Sequence, residues 1–320
     1  MEQRYLGRSG LRVSRIGLGT MTWGRDTDEH EAADQLRSFV DVGGTLVDTA
    51  AGYADGASEE LLGSLLGDVV PREDVAVCTA AGAAGAPGAE HVVDASRRTL
   101  LAALDTSLAR LRTDHVDLWL AQAWDPYVPL EETLSALQAA VTSGRARYVG
   151  VANHRAWQLA RTATLAERAG VQVVADQVEY SLVERSAEAE LLPAAADVGA
   201  GVLGWSPLGR GVLTGKYRSG TPADSRAASP HFVDFVEPYL DGRCRRVVES
   251  VATAADGLGC APVEVALAWA RDAPGIAGIV LGARTAAQLR GALAGDDLVL
   301  PAEIRQALDD VSDARRGSNS

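Results

Sequence analysis

The chain has 320 residues, of which 47% are hydrophobic and 23% charged, an ordinary soluble-globular composition long enough for two domains or one large barrel. Its formal net charge of −13 excludes a general basic face for nucleic acid, because the long-range field repels phosphate, and leaves room only for a local basic patch. No run of about 18 apolar residues occurs, so no membrane span is expected.

Read in chain order, short apolar runs alternate with longer amphipathic segments. Residues 5–14 predict a hairpin. Strands are expected at Ile16–Gly19, Thr45–Asp48, Val75–Thr79, Val116–Ala121, Tyr148–Ala152, Val173–Val178, Gly201–Trp205 and Ile276–Leu281. Their continuous apolar character suits parallel strands buried on both faces. Helices are expected at His30–Val42, Glu59–Leu66, Asp94–Arg112, Leu130–Ser143, Ala156–Ala169, Glu188–Val198, Arg245–Leu258 and Thr285–Ala294, with an extra one at Pro262–Ala270. Several are followed by glycine, as helix C-termini often are. Strand-helix alternation of this kind predicts an α/β fold, a (β/α)8 TIM barrel over residues 1–313, with the hairpin closing its bottom and a disordered tail at 314–320. Residues 207–243, rich in Gly, Pro, Ser and Arg, form the longest connection and read as a functional loop.

Three scattered cysteines without CxxC spacing argue against a disulfide framework and for a cytoplasmic protein. The amino terminus has no apolar signal region. Five histidines show no metal-ligand spacing, so no metal is expected. The Ala-, Gly- and Arg-rich composition is compatible with a bacterial enzyme of specialised metabolism.

In a barrel of this kind chemistry gathers at the carboxyl ends of the strands. Asp48, Trp124, Asp125, Asn153, His154, Gln177, Trp205, Ser206 and Arg284 all fall there. Asp125 reads as a loop turn residue, and His154 and His231 as solvated loop histidines rather than proton donors. Gly17-Leu-Gly19 lacks the dinucleotide fingerprint spacing and reads as a structural turn.

The stretches Gly17-Leu-Gly-Thr-Met-Thr-Trp-Gly24, DTAAGYADGASEELLG at 48–63, VDLWL at 116–120, GVANH at 150–154, WSPLGRGVLTGKY at 205–217 and LGARTAAQL at 281–289 resemble, in order, the aldo-keto reductase family. The resemblance runs from residue 5 to about 313 and implies NADP(H) lying across the barrel mouth. Trp205 offers a flat face for a nicotinamide ring, and Asn153 and Gln177 offer amides for its carboxamide. The segment from Ser206 through Leu208 and Gly211 to Lys216 suits a pyrophosphate. Gly282 and Arg284 suit a 2′-phosphate, with Gln288 near the adenine. Thr20 and Met21 join the implied cofactor set. Trp23, Trp124 and Tyr127 are candidates for an aromatic substrate pocket.

The resemblance also implies an Asp, Tyr, Lys and His set. Asp48 and Tyr53 match, but the lysine position holds Ala80 and the histidine position Gln122. Without a cation, Tyr53 should return toward the ~10 of a free phenol and Asp48 should be raised. Gln122 can hydrogen-bond a substrate oxygen but cannot titrate. The expected function is hydride transfer to or from a small organic carbonyl, hydroxyl or activated double bond, with Asp48, Tyr53 and Gln122 as catalytic residues. Two alternatives stand beside it: proton-transfer chemistry in the same cleft (a dehydratase, isomerase or epimerase), and a non-catalytic NADP(H)-binding module. The partner expected is a small-molecule substrate, with neither nucleic acid nor membrane.

Overall fold

Eight short apolar segments close into a parallel barrel in the computed structural model, which describes residues 1–84, 92–222, 225–229 and 232–313. They are β1 (Ile16–Gly19), β2 (Leu46–Asp48), β3 (Ala76–Ala81), β4 (Val116–Ala121), β5 (Ala146–Ala152), β6 (Val173–Glu179), β7 (Gly201–Trp205) and β8 (Ile276–Gly282). Each pairs with its sequence neighbour, and β8 closes on β1 through Ile279 opposite Ile16 and Gly282 opposite Gly19. All eight expected strands are present. β3 runs to Ala81 rather than stopping at Thr79, so Ala80 lies inside the strand.

Ten helices of eight or more residues surround the barrel among the described residues. They are α1 (Glu29–Asp41), α2 (Ala57–Leu65), α3 (Arg97–Leu111), α4 (Leu130–Thr142), α5 (Ala156–Arg168), α6 (Leu191–Val198), α7 (Gly242–Leu258), α8 (Pro262–Arg271), α9 (Ala286–Leu293) and α10 (Ala302–Ser312). Several begin on a side-chain cap. Asp28 accepts from Glu31 N, Ser96 from Thr99 N and Asp241 from Cys244 N, which satisfies amides that the helix itself leaves free. No single described helix is long and apolar enough to cross a membrane.

Strand alternation divides the core in two. Outward-facing residues such as Val77, Trp119, Val149 and Ile279 pack under the helices. Inward-facing Leu46, Cys78, Leu118, Leu120, Ala175 and Leu203 fill the barrel. The hairpin pairs Gln3–Tyr5 with Arg12–Ser14 and sends Leu6, Leu11 and Val13 into that inner cluster from below. Gly7, at φ +60°, permits this docking: a Cβ there would stand 2.5 Å from Gly199 O and 2.6 Å from Gly201 N.

Two elements were not expected. One is the antiparallel pair Ala83–Ala84 with Val92–Val93, beyond β3. The other is α10, which buries Leu308 in the outer core, packs Ile304 against it and adds polar contacts: Trp269 Nε1 donates to Asp309 Oδ1 at 2.8 Å, and Arg305 donates to the carbonyls of Ala268 and Trp269. The long connection after β7 carries a 3-10 turn at Gly209–Thr214 and a one-turn helix at Val233–Val236. The expected tail at 314–320 lies outside the described residues, as does His231.

Candidate active site

The inward row of each strand ends at the barrel mouth. At the upper edge of the apolar inner cluster, to which Ala80 belongs, that row presents Asp48, Ala80, Gln122, Gln177 and Trp205. Sequence spacing along the strands therefore brings together residues that are up to 157 positions apart, as in Asp48 and Trp205.

Asp48 closes β2 and is 4% exposed. Its carbonyl accepts from both the amide and the hydroxyl of Thr20, each at 3.0 Å. The Thr20 hydroxyl also meets Ser58 Oγ at 2.8 Å. Thr20 is fully buried, so its side chain anchors the strand end rather than facing the mouth. The Asp48 carboxylate accepts from Gln177 Nε2 at 2.7 Å and from the Cys78 thiol. Burial pushes its pKa up to about 6, against the opposing pull of those two hydrogen bonds. No described cation sits within ion-pair distance of Asp48 or contributes to this shift. Burial likewise raises Cys78 well above an ordinary thiol, reinforced by the Asp48 charge.

Tyr53 starts a 3-10 turn, Tyr53–Gly56, in which Ala54 and Asp55 adopt left-handed backbone at φ 49° and 56°. Its ring packs on the inner cluster while part of it still meets solvent. Its hydroxyl is raised above the free phenol by burial, with the neighbouring Asp48 and Cys78 adding to the rise. Sequence reasoning took it only back to the free value, because it counted the missing cation and not desolvation. The loop is held from behind. Arg110 of α3 donates to the carbonyls of Ala51 and Asp55 at 3.3 Å and meets Glu59 Oε2 at 3.4 Å. Fully buried Glu59 in turn accepts from Thr79 Oγ1 at 2.6 Å, next to Ala80.

A second chain of bonds crosses the mouth. Trp205 Nε1 donates to Asn153 Oδ1 at 3.1 Å, and Asn153 Nδ2 donates to the Gln122 carbonyl at 2.9 Å. Asn153 holds a left-handed φ of 57°, a conformation asparagine tolerates well. The Gln122 side-chain oxygen is buried and has no partner.

Trp205 runs nearly parallel to Phe235, centroids 6.4 Å apart and planes at 17°. Arg210 lies against both, 4.1 Å from the Phe235 ring and 5.7 Å from Trp205. Its guanidinium grips Glu179 at the end of β6 through two hydrogen bonds, Nε at 2.8 Å and Nη2 at 2.5 Å. Burial raises Glu179, and Arg210 opposes that rise. Neither Phe235 nor Glu179 was singled out from sequence. A signal existed: the chain has three phenylalanines, and two of them, Phe232 and Phe235, fall in this one loop.

The remaining expected residues are placed as follows. Ser206 (φ 54°), partly buried Leu208 and buried Gly211 (φ 104°) line the start of the long loop. The Lys216 ammonium lies over Gly211, where a Cβ would stand 3.3 Å from Nζ. Met21 is half-buried after β1. Gly282 is exposed at the end of β8, and half-buried Arg284 has no carboxylate within ion-pair distance among the described residues. Gln288 Oε1 accepts from Arg284 N at 3.1 Å, so its side chain is engaged at the start of α9.

The aromatic pocket is corrected at Trp23, which is wholly buried, with its indole N–H on Gln35 Oε1 at 3.1 Å, and is part of the core under α1. Tyr127 is 93% exposed. Trp124 packs edge-on against His154 and Trp157. His154 is not a solvated loop residue: it is buried, its Nδ1 meets the Ala152 carbonyl at 3.1 Å, and burial lowers its pKa to about 4. Asp125 is the loop residue expected, accepting from the amides of Ala95 and Tyr127.

The aldo/keto reductase family model matches residues 15–313. Among curated proteins, the chain is 36% identical to "Uncharacterized oxidoreductase YrpG" of Bacillus subtilis (strain 168), over 97% of this chain and 96% of that one. It is 35% identical to "Probable voltage-gated potassium channel subunit beta" of Oryza sativa subsp. japonica, covering 88% and 87% of the two chains. An Arabidopsis thaliana protein of the same name is 32% identical over 93% and 92%. With an eight-stranded parallel barrel and matches of this extent, the chain belongs to the aldo/keto reductase family.

Proposed function

We propose that the chain is a cytoplasmic NADP(H)-dependent oxidoreductase with a non-standard acid-base set, acting on a small organic carbonyl, hydroxyl or activated double bond. The observation that carries this reading is the buried Asp48 beside Tyr53 on the floor of a mouth whose rim is tied together by Trp205, Asn153 and Gln122. Family membership and the oxidoreductase relative support it.

The residues present fit a dinucleotide. The backbone around Gly211 is concave where a side chain would crowd Lys216, and Arg284 stands without a carboxylate among the described residues at the start of α9. Trp205 would hold the nicotinamide, the Ser206–Lys216 segment the pyrophosphate, and Arg284 a 2′-phosphate. When bound, the cofactor supplies or accepts the hydride.

The chain's own groups handle the oxygen. Gln122 offers its amide N–H to a substrate oxygen, and Tyr53 offers its hydroxyl proton. Tyr53 holds that proton more tightly than a free phenol does. A product whose oxygen needs little protonation, such as an enolate or phenolate, therefore suits the site better than a simple alkoxide. Asp48, poised near 6, can take or give a proton at neutral pH. Fluorescence titration with NADPH, followed by turnover with excess substrate at the nicotinamide absorbance, tests the reading. No affinity for either form of the dinucleotide sinks it.

The same carboxyl favours one second reading, proton transfer without hydride. Product formed with no change in nicotinamide absorbance would select it.

A further inference from the structure

Resting on that reading of the barrel mouth, we propose that the ligand acted on there carries a primary ammonium group, which docks beside Asp48 in the space over Ala80.

Asp48 is a carboxylate inside the barrel whose hydrogen-bond donors are both neutral, the Gln177 amide and the Cys78 thiol. A buried charge is costly unless a counter-charge meets it. Among the described residues, the nearby cations are engaged elsewhere. Arg110 serves Glu59 and two loop carbonyls, Arg210 grips Glu179, and the exposed Lys216 lies over Gly211 and the Tyr217 ring.

The inner wall around Asp48 is built from side chains that stop at Cβ: Ala50, Ala80 and Ala152 all belong to the inner cluster. Asp48 and Ala80 are buried but not sealed, at 4% and 6% exposure. The buried Gln122 Oε1 has no donor among the described residues, and the Asp48 carboxylate bears on the Tyr53 hydroxyl. An ammonium has three N–H donors and no acceptor, which complements this set. An anionic ligand group placed there would face the Asp48 carboxylate directly.

The Asp48 charge acts on the Tyr53 hydroxyl across the turn that follows β2, so nitrogen and reacting oxygen must lie close together in the ligand. The class that satisfies both is an amino ketone or amino aldehyde, or the matching amino alcohol, with nitrogen and oxygen on adjacent or once-removed carbons. Its ammonium, next to Tyr53, would also favour the phenolate and ease proton donation.

Ethylammonium chloride is the probe, with sodium chloride and n-propanol as ionic and neutral controls. Thermal unfolding and saturation-transfer NMR on the ethyl protons report binding to the whole protein without dinucleotide. The expected result is a saturable rise in melting temperature with ethylammonium alone. Ala80→Met, which fills the space, and Asp48→Asn, which removes the charge, should each weaken binding at least about tenfold. If Ala80→Met fails to fold, Ala80→Val read by NMR takes its place. No saturable effect on the unmodified protein, or binding retained in both variants, overturns the proposal. A dinucleotide titration on the same sample separates the two ideas. Dinucleotide binding without ethylammonium binding sinks this inference alone, whereas loss of dinucleotide binding sinks the oxidoreductase reading.

Discussion

Tyr53→Phe removes one oxygen and leaves the ring that packs on the barrel interior. Turnover should fall about 10²- to 10⁴-fold, the range for loss of a positioned proton donor, while NADPH affinity stays within about twofold. Steady-state rates and fluorescence titration check this together. Ala80→Lys with Gln122→His places a cation and a titratable donor on the inward row beside Asp48. Reduction of simple aldehydes should then rise. An unchanged rate in a folded double variant would show that these two positions do not face the reacting oxygen. The identities at 48, 53, 80 and 122 were legible in the sequence because each ends or follows an apolar run. The engagement of Asn153 with Trp205 and Gln122, and the core burial of Trp23, were not. An indole at a strand end has the same local signature whether it lines a cleft or fills a core.

At the scale of elements, the Tyr53 loop depends on α3. Arg110→Ala would leave Glu59 buried without its cation and release the carbonyls of Ala51 and Asp55. Arg110 is about a quarter exposed, so the stability loss should be modest, about 1–3 kcal/mol by chemical unfolding. The rate should fall further than the stability loss alone explains, because Tyr53 sits between the two released carbonyls. Arg110→Lys restores the charge and should recover part of that rate. The loop after β7 depends on β6 in the same manner. Arg210→Met should free Phe235 from the Glu179 anchor and expose the 232–239 segment to faster proteolytic cleavage, with the barrel itself intact. Apolar runs and glycine punctuation revealed the barrel strands and most helices. α10 carries Ile304, Leu308 and Val311 at helical spacing, but so thin an apolar stripe among charges gains its weight only where Leu308 enters the core and Trp269, Arg305 and Asp309 meet across the fold.

For the whole molecule, buried acids set the pH response. Asp48 and Glu179 are raised, and fully buried Asp176 is raised well above an ordinary carboxyl by desolvation, against the pull of the His154 backbone amide. A raised acid binds its proton more tightly in the folded state. Its contribution to stability therefore declines as pH rises from the unfolded value of about 4 through the folded one. Asp94 and Asp272 are lowered and act in reverse, with support that is lost as pH falls below about 4. The melting temperature should accordingly peak in the mildly acidic range, about pH 4–6, and fall toward pH 8. The net charge of −13 adds self-repulsion at the alkaline side, which salt should partly relieve. Asp176→Asn keeps the shape and removes the charge, so it should raise the melting temperature at pH 8 and flatten the alkaline decline. A flat profile from pH 5 to 8 would contradict the assignment of these buried acids.

By itself the amino-acid sequence determined the barrel, its strand ends and the family, because periodicity and strand-end motifs are local properties of the chain. Only the tertiary structure decided which of those residues share a floor and in what electrical state. That Asp48 lies near 6, that Tyr53 rises above a free phenol and that His154 is neutral under Trp124 all follow from desolvation and from neighbours many residues away. Burial is a property of the packed molecule, and no stretch of sequence contains it.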